Sequence, residues 1–196
     1  MMPTPKTQVW QYTQRQIDRL DKQRADSQGR AAMAQLRRGI GCVPGELPAL
    51  WGLFLAGLPE ELRSVSGDPT YAEWAVYTAL TLYAMHQQGK AESVQVAQVS
   101  LGSAAMRMTG GSEDSRERVW RRLNLVAQAN DMQEMSYRLR QLVSLLKTEG
   151  IGLDYALLAA DLYEYQFVSS ANRARLRWGQ DFFHTSKNDE EASENE

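Results

Sequence analysis

The sequence predicts an all-α fold, a two-lobed helical bundle of about eight or nine helices. Three observations predict it. Apolar residues recur at helical spacing, most regularly as Met132, Met135, Leu139, Leu142, Val143 and Leu146, the buried stripe of an amphipathic helix. Glycines, prolines and capping residues punctuate the chain at intervals suited to helices. The one alternating run, ValGlnValAlaGlnVal from Val94, has no second strand to pair with and reads as a loop.

The elements follow in order. Residues 1–5 are expected to be disordered. A first helix runs from Lys6 to about Asp26, with Trp10, Ile17 and Leu20 inward and Arg15, Arg19 and Lys22 outward. Gly29 interrupts it, and a short helix follows from Arg30 to Arg38, stopped by Gly39 and Gly41. Pro44, Gly45 and Pro48 mark a turn before a small apolar helix, Ala49–Ala56, bearing Trp51 and Phe54. Asp68 is the expected N-cap of the next helix, with Pro69 at its first position. That helix, to Gln88, is apolar on nearly every side, as a helix at the centre of a bundle is.

Gly89 ends it, and a connector covers 90–98. Ser100 caps a helix over Leu101–Met108. Ser112, Glu113 and Asp114 open another, which reaches about Ala129 with Val119, Leu123 and Val126 inward. Met132–Glu149 comes next, then a helix capped by Asp154 and reaching Phe167, then a last one over Ala171–Phe183. The expected lobes are 1–93 and 94–186, followed by a disordered acidic tail at 187–196.

A chain of 196 residues is long enough to bury a core without disulfides or metal. Its single cysteine, Cys42, forms no internal disulfide and fits a reducing cytoplasm. The first twenty residues carry Lys6, Arg15, Asp18 and Arg19 and no apolar run, so no secretory signal is expected. The apolar run Trp74–Met85 is about a dozen residues, too short to span a bilayer.

Signals for an enzyme are weak. His86 and His184 lie far apart, and with one cysteine they give no zinc spacing. There is no phosphate loop, dinucleotide fingerprint or nucleophile elbow, and the carboxylates form no spaced set for two-metal chemistry. No catalytic residue, metal or cofactor is expected.

The charge is more informative. The net charge of −2 hides a split, because residues 187–196 hold one base and five acids. The rest is slightly basic, and seventeen of the 22 bases are arginine, whose planar fork of donors suits phosphate. Arg118, Arg121 and Arg122 share one helix face at i, i+3 and i+4 and repel one another unless an anion sits opposite. Arg138 and Arg140 flank Leu139, with Lys147 two turns beyond Arg140 on the same face. Arg173 and Arg177 are i, i+4 neighbours, while Arg175 points elsewhere. Arg37 and Arg38 end a short helix, where positive charge also suits the dipole.

Each cluster has a plainer explanation as a solvated face with salt bridges. The five tryptophans are expected mostly in the core, and no recognition helix or RNA-binding motif is present. If the chain binds nucleic acid it holds backbone and does not read sequence. The acidic tail is then a candidate competitor for the same bases.

The order of motifs adds to this. AlaGlnLeuArgArg at 34–38 precedes GlyGluLeuProAlaLeuTrp at 45–51 and the apolar helix at 74–86. ValSerLeuGlySerAlaAla at 99–105 follows, then the arginine-bearing helices at 116–147, then ArgAlaArgLeuArgTrpGlyGlnAspPhe at 173–182. Over residues 10–183 the chain resembles the small subunit of the type I-E CRISPR Cascade complex, the CasB family. The resemblance implies a two-lobed helical fold without catalysis. It implies partners: the backbone and large subunits, a second copy, crRNA and target DNA. It implies a basic groove that steadies the heteroduplex and the displaced strand during R-loop formation. Carried over position by position, the nucleic-acid-binding residues are Arg37, Arg38, Lys90, Arg118, Arg121, Arg122, Arg138, Arg140, Arg173 and Arg175. The alternative is a helical protein–protein adaptor that binds no nucleic acid.

Overall fold

The computed structural model describes residues 3–184, so the acidic tail, Met1 and Met2 lie outside the described residues. Among these, nine α-helices and two short 3-10 turns make up the regular structure. In order the helices are α1 (Pro5–Gln23), α2 (Ser27–Arg38), α3 (Trp51–Phe54), α4 (Tyr71–Gln87), α5 (Leu101–Arg107), α6 (Glu113–Ala127), α7 (Met132–Glu149), α8 (Tyr155–Tyr165) and α9 (Ala171–Phe183).

α1 begins earlier than its composition suggests. Thr4 caps it, its hydroxyl accepting from Thr7 N at 3.2 Å, and Pro5 takes the first position, where a missing N–H costs nothing. Thr4 and Pro5 are thus ordered, contrary to expectation. The buried face is Val9, Tyr12, Thr13, Gln16, Ile17 and Leu20, and Trp10 is exposed. Tyr12 fixes that phase, because its hydroxyl donates to the carbonyls of Phe54 and Ala56, both at 3.0 Å.

Gly29 does not break a helix. The break is at Arg24–Asp26, and Gly29 sits in the first turn of α2. A Cβ there would lie 1.9 Å from the Gln23 carbonyl oxygen. The glycine is needed because α2 folds back against the end of α1.

The cap of α4 is Thr70, not Asp68. Thr70 and Glu73 form a reciprocal capping box, with Glu73 N 3.1 Å from the Thr70 hydroxyl and Thr70 N 2.8 Å from the Glu73 carboxylate. Asp68 and Pro69 lie in the preceding loop. Fourteen of the seventeen residues of α4 are buried, which makes it the central helix. It packs on α1, α2, α7 and α8. Each large apolar side chain fully buried on α4, among them Val76, Leu80 and Leu82, contributes about 1.5–3 kcal/mol.

α1 also lies along α8, and α9 packs on α5 and α8. One apolar core runs through all of these elements from Val9 to Phe182. α7 buries its whole predicted stripe and ends at Gly150 in the left-handed conformation (φ 72°).

The connector after α4 finds a partner. Val96 N donates to Leu153 O at 3.1 Å and Leu153 N donates to Val94 O at 3.0 Å, a single parallel bridge. The alternating pattern of the connector gives no hint of this partner, which is one residue of the α7–α8 turn and not a strand. Asp154 holds both sides: it accepts from Leu157 N at the start of α8 and from Gln98 N and the Gln95 side chain in the connector, each at 2.9 Å.

Candidate nucleic-acid interface

The structure divides the ten predicted bases by what each side chain does. Arg37 and Lys90 come together. Arg37 is in the last turn of α2, and Lys90 follows the end of α4. Both line a cleft of about 460 Å³ that Arg24 and Arg30 also line; among the described residues no carboxylate lines it, although Asp21 lies 3.9 Å from Arg24. Gln87 fixes the backbone that carries Lys90. It is buried, donates to the carbonyls of Lys90 and Glu92 at 3.1 and 2.9 Å, and accepts from Val94 N at 2.9 Å.

Lys147 reaches the same region from α7, donating to Met85 O at 3.1 Å. Its pKa is lowered by burial and then by the charges of Arg37 and Lys90. Cations at the end of α4 are favoured by the carbonyl end of that helix, yet they also crowd one another. An anion in the cleft would relieve that crowding.

Arg24, Arg30 and Lys147 extend the predicted set. Arg24 and Arg30 flank the α1–α2 turn. Their spacing carries no signal when the break is placed at Gly29. Lys147 stands on the Arg140 side of α7, and only the packing of α7 on α4 brings it to the end of α4, beside Met85.

Arg118, Arg121 and Arg122 are exposed on α6. Arg121 pairs with Glu117. Arg118 donates to the Ser115 hydroxyl at 2.9 Å, and Arg122 to the Arg118 carbonyl at 3.4 Å. Among the described residues neither Arg118 nor Arg122 has a carboxylate within ion-pair distance, and the same holds for Arg37, Arg38, Lys90 and Arg140. Arg38 and Arg140 are exposed.

The remaining three make bonds within the protein. Arg138 is half-buried, pairs with Glu134 and donates to the Leu125 carbonyl, so it ties α7 to α6. Arg175 donates to Ala127 O at 2.8 Å, to the Tyr165 hydroxyl at 3.1 Å and to Asn172 at 3.0 Å, with its guanidinium 4.8 Å from the centre of the Tyr165 ring. Arg173 lies 3.2 Å from Glu164, which Lys6 and Arg177 also approach.

His86 is fully buried, and its Nδ1 is 2.7 Å from the Tyr155 hydroxyl. Burial, with the nearby charges of Lys90 and Lys147, pushes its pKa down to about 4, so it is neutral at ordinary pH. Among the described residues no group of three or more His, Cys, Asp or Glu is placed to hold a metal, and no helix is long and apolar enough to cross a membrane. Trp178 is buried, whereas Trp51 and Trp10 are exposed. The expectation of core tryptophans fails for those two: Trp51 lies on the four-residue α3, and Trp10 lies off the buried face of α1.

Residues 32–183 match the family described as CRISPR-associated protein Cse2. No curated protein matches the chain. Among solved structures the chain is similar to CasB from Thermobifida fusca, with 30% identity, 90% of this chain and 98% of that chain covered, and a TM-score of 0.77. It is also similar to a CRISPR-associated Cse2-family protein from Thermus thermophilus, with 25% identity, 87% and 97% covered, and a TM-score of 0.65. CasB from M. ruber shares the fold at 19% identity, with 91% and 98% covered and a TM-score of 0.66. The chain belongs to the Cse2/CasB family, the small subunit of type I-E Cascade.

Proposed function

We propose that this chain is a non-catalytic subunit that holds crRNA, target DNA and the displaced strand by sequence-blind contacts in the cytoplasm. Its partners in this reading are the backbone and large subunits of Cascade and a second copy of itself. The observation that carries the reading is the cleft that Arg24, Arg30, Arg37 and Lys90 line and that no carboxylate among the described residues lines, with Asp21 3.9 Å from Arg24. The exposed bases Arg38, Arg118, Arg121, Arg122 and Arg140 extend the same chemistry over α2, α6 and α7.

Arginine forks on phosphate need no knowledge of sequence, which suits a complex whose guide supplies the sequence. R-loop formation is nearly balanced between duplex lost and duplex gained, so modest backbone contacts tip it. The internal bonds of Arg138, Arg173 and Arg175 favour a scaffolding role for those three, and they are the bases on which the adaptor reading rests.

The test is binding to labelled single- and double-stranded DNA across a salt series, with wild type beside Lys90→Glu and Arg121→Glu. The reading expects sequence-blind binding that salt weakens steeply and that both substitutions reduce. Reconstituted Cascade in which both substitutions leave R-loop stability unchanged would sink it.

A further inference from the structure

A second cavity, of about 680 Å³, lies at the start of α4, where Tyr71 and Trp74 line it. The α6–α7 turn and the α8–α9 turn close around it. The basic cleft lies past the other end of the same helix. α4 is seventeen residues long, so the two sites stand roughly 25 Å apart. Fourteen residues line the cavity, fewer than the about 20–30 a side of an ordinary protein interface, and its volume falls in the range of small-molecule pockets.

Its walls carry flat groups. Tyr71 is 47% exposed, yet its ring is held edge-on to Phe167, with 4.9 Å between centres, and its carbonyl accepts from Gln166 at 2.9 Å. Trp74 is half-buried. Trp51 and Trp178 donate their indole N–H within the protein, whereas that of Trp74 has no acceptor among the described residues. Arg175 adds a third plane. Its bonds to Ala127, Tyr165 and Asn172 hold the guanidinium 4.8 Å from the centre of the Tyr165 ring.

Amides with one half unpaired stand around these planes. Among the described residues, Asn130 donates to Glu134 and keeps its carbonyl oxygen, Gln166 donates to Tyr71 and Leu162 and keeps its own, and Asn172 accepts from Arg175 and keeps its NH₂. Asp131 is occupied as the cap of α7, accepting from Glu134 N at 2.8 Å. A phosphate would find only the committed Arg175 among the lining residues. Flat faces beside unpaired donors and acceptors match an uncharged heteroaromatic ring, which stacks by its face and bonds by its edge.

We propose that this cavity is a nucleobase pocket. It takes one unstacked base of a single strand, stacked on the planes of Tyr71, Trp74 and Arg175, with its edge bonded by Asn130, Gln166 and Asn172. Stacking tolerates any base, so the pocket keeps the sequence-blind character of the cleft. Which strand supplies the base rests on the function proposed above; the pocket itself does not.

Adenosine is the probe, because it carries a base and no phosphate. NMR of the isotope-labelled full chain with adenosine at millimolar concentration should move the Trp74 indole N–H signal and the amides of Tyr71, Asn130 and Asn172, and leave those of Arg37 and Lys90 in place. Tyr71→Ala and the exposed-site variant Asn172→Ala should each weaken the response several-fold. No response, shifts centred elsewhere, or a response unchanged in both variants overturns the proposal. No response, with Tyr71→Ala instead weakening assembly into Cascade, gives the cavity to a partner subunit. A second measurement sets single-stranded DNA beside an abasic strand of the same length. The base-bearing strand should bind at least about fivefold tighter, Tyr71→Ala should abolish that preference, and the salt slope should be the same for both strands, because the pocket holds no phosphate. Equal binding of the two strands at a steep salt slope keeps the basic cleft and overturns the pocket. An adenosine response with no binding of either strand keeps the pocket and loses the strand-holding role.

Discussion

Arg177 on α9 donates to Asp161 on α8 across 2.6 Å, and Trp178 donates its indole N–H to the other oxygen of the same carboxylate at 2.7 Å. Asp161 is 3% exposed. Burial raises its pKa, and the Arg177 guanidinium works against that rise. Arg177 also reaches Glu164 at 2.5 Å, beside Lys6 at 2.6 Å. This knot joins the start of α1 to α8 and α9, and it explains why the arginine row of α9 is not all available to a ligand.

Arg177→Ala strands the buried Asp161 with the indole as its remaining partner. Removing one member of a buried pair costs about 3–5 kcal/mol. The Arg177 side chain is 36% exposed, and solvent screening brings the expected loss down to about 2–3 kcal/mol. Urea denaturation measures it as a lower midpoint at an unchanged slope. Replacing both groups, as in Arg177→Met/Asp161→Asn, should recover part of the loss, because it removes the stranded charge.

Much of this was legible in the sequence and some was not, for physical reasons. The α7 stripe and the Asp154 and Ser100 caps depend on local periodicity and neighbours within three residues, so the chain displays them openly. The phase of α1 does not. It depends on Tyr12 meeting Phe54 and Ala56, more than forty residues away, and a bulky Trp10 one position from Val9 misleads. Clusters of arginine were visible, but their uses were not. Arg175 looks like its neighbours in the sequence, and only the approach of Ala127 and Tyr165 reveals it as a strut.

His86 gives a pH dependence with a definite sign. Its folded pKa is about 4, below the ordinary value of about 6.5, so the unfolded chain binds the extra proton first. The stability it contributes is complete above about 6.5 and is lost as pH falls toward 4, by up to about 3 kcal/mol. His86→Gln, which keeps a bonding group near Tyr155, should flatten the stability profile between those values. An unchanged profile would assign the acid sensitivity to other groups.

Gly102 lies where α5 packs tightly on α9. A Cβ at this position would lie 2.1 Å from the Trp178 carbonyl oxygen and 2.9 Å from the Asp181 Cβ. Backbone cannot yield as a side-chain tip can. Gly102→Ala should therefore cost at least about 1–3 kcal/mol despite the higher helix propensity of alanine. Gly179 on α9, whose added Cβ meets nothing within 4 Å, is the control: Gly179→Ala should be neutral or stabilising by thermal denaturation.

Arg175 and the cleft bases should separate in two measurements. Arg175→Ala breaks bonds to a carbonyl, a hydroxyl and an amide and should cost about 1–3 kcal/mol in stability. The slope of log affinity against log salt should stay unchanged. Arg37→Ala and Lys90→Ala touch no ion pair among the described residues, so stability should hold. Each that meets a phosphate should lower the magnitude of the salt slope by about 1. The slope counts phosphates directly, and a loss of folding cannot imitate it once the folded fraction is measured in the same buffer. Equal slopes for wild type, Arg37→Ala and Lys90→Ala would move the nucleic-acid contact off the cleft and onto α6.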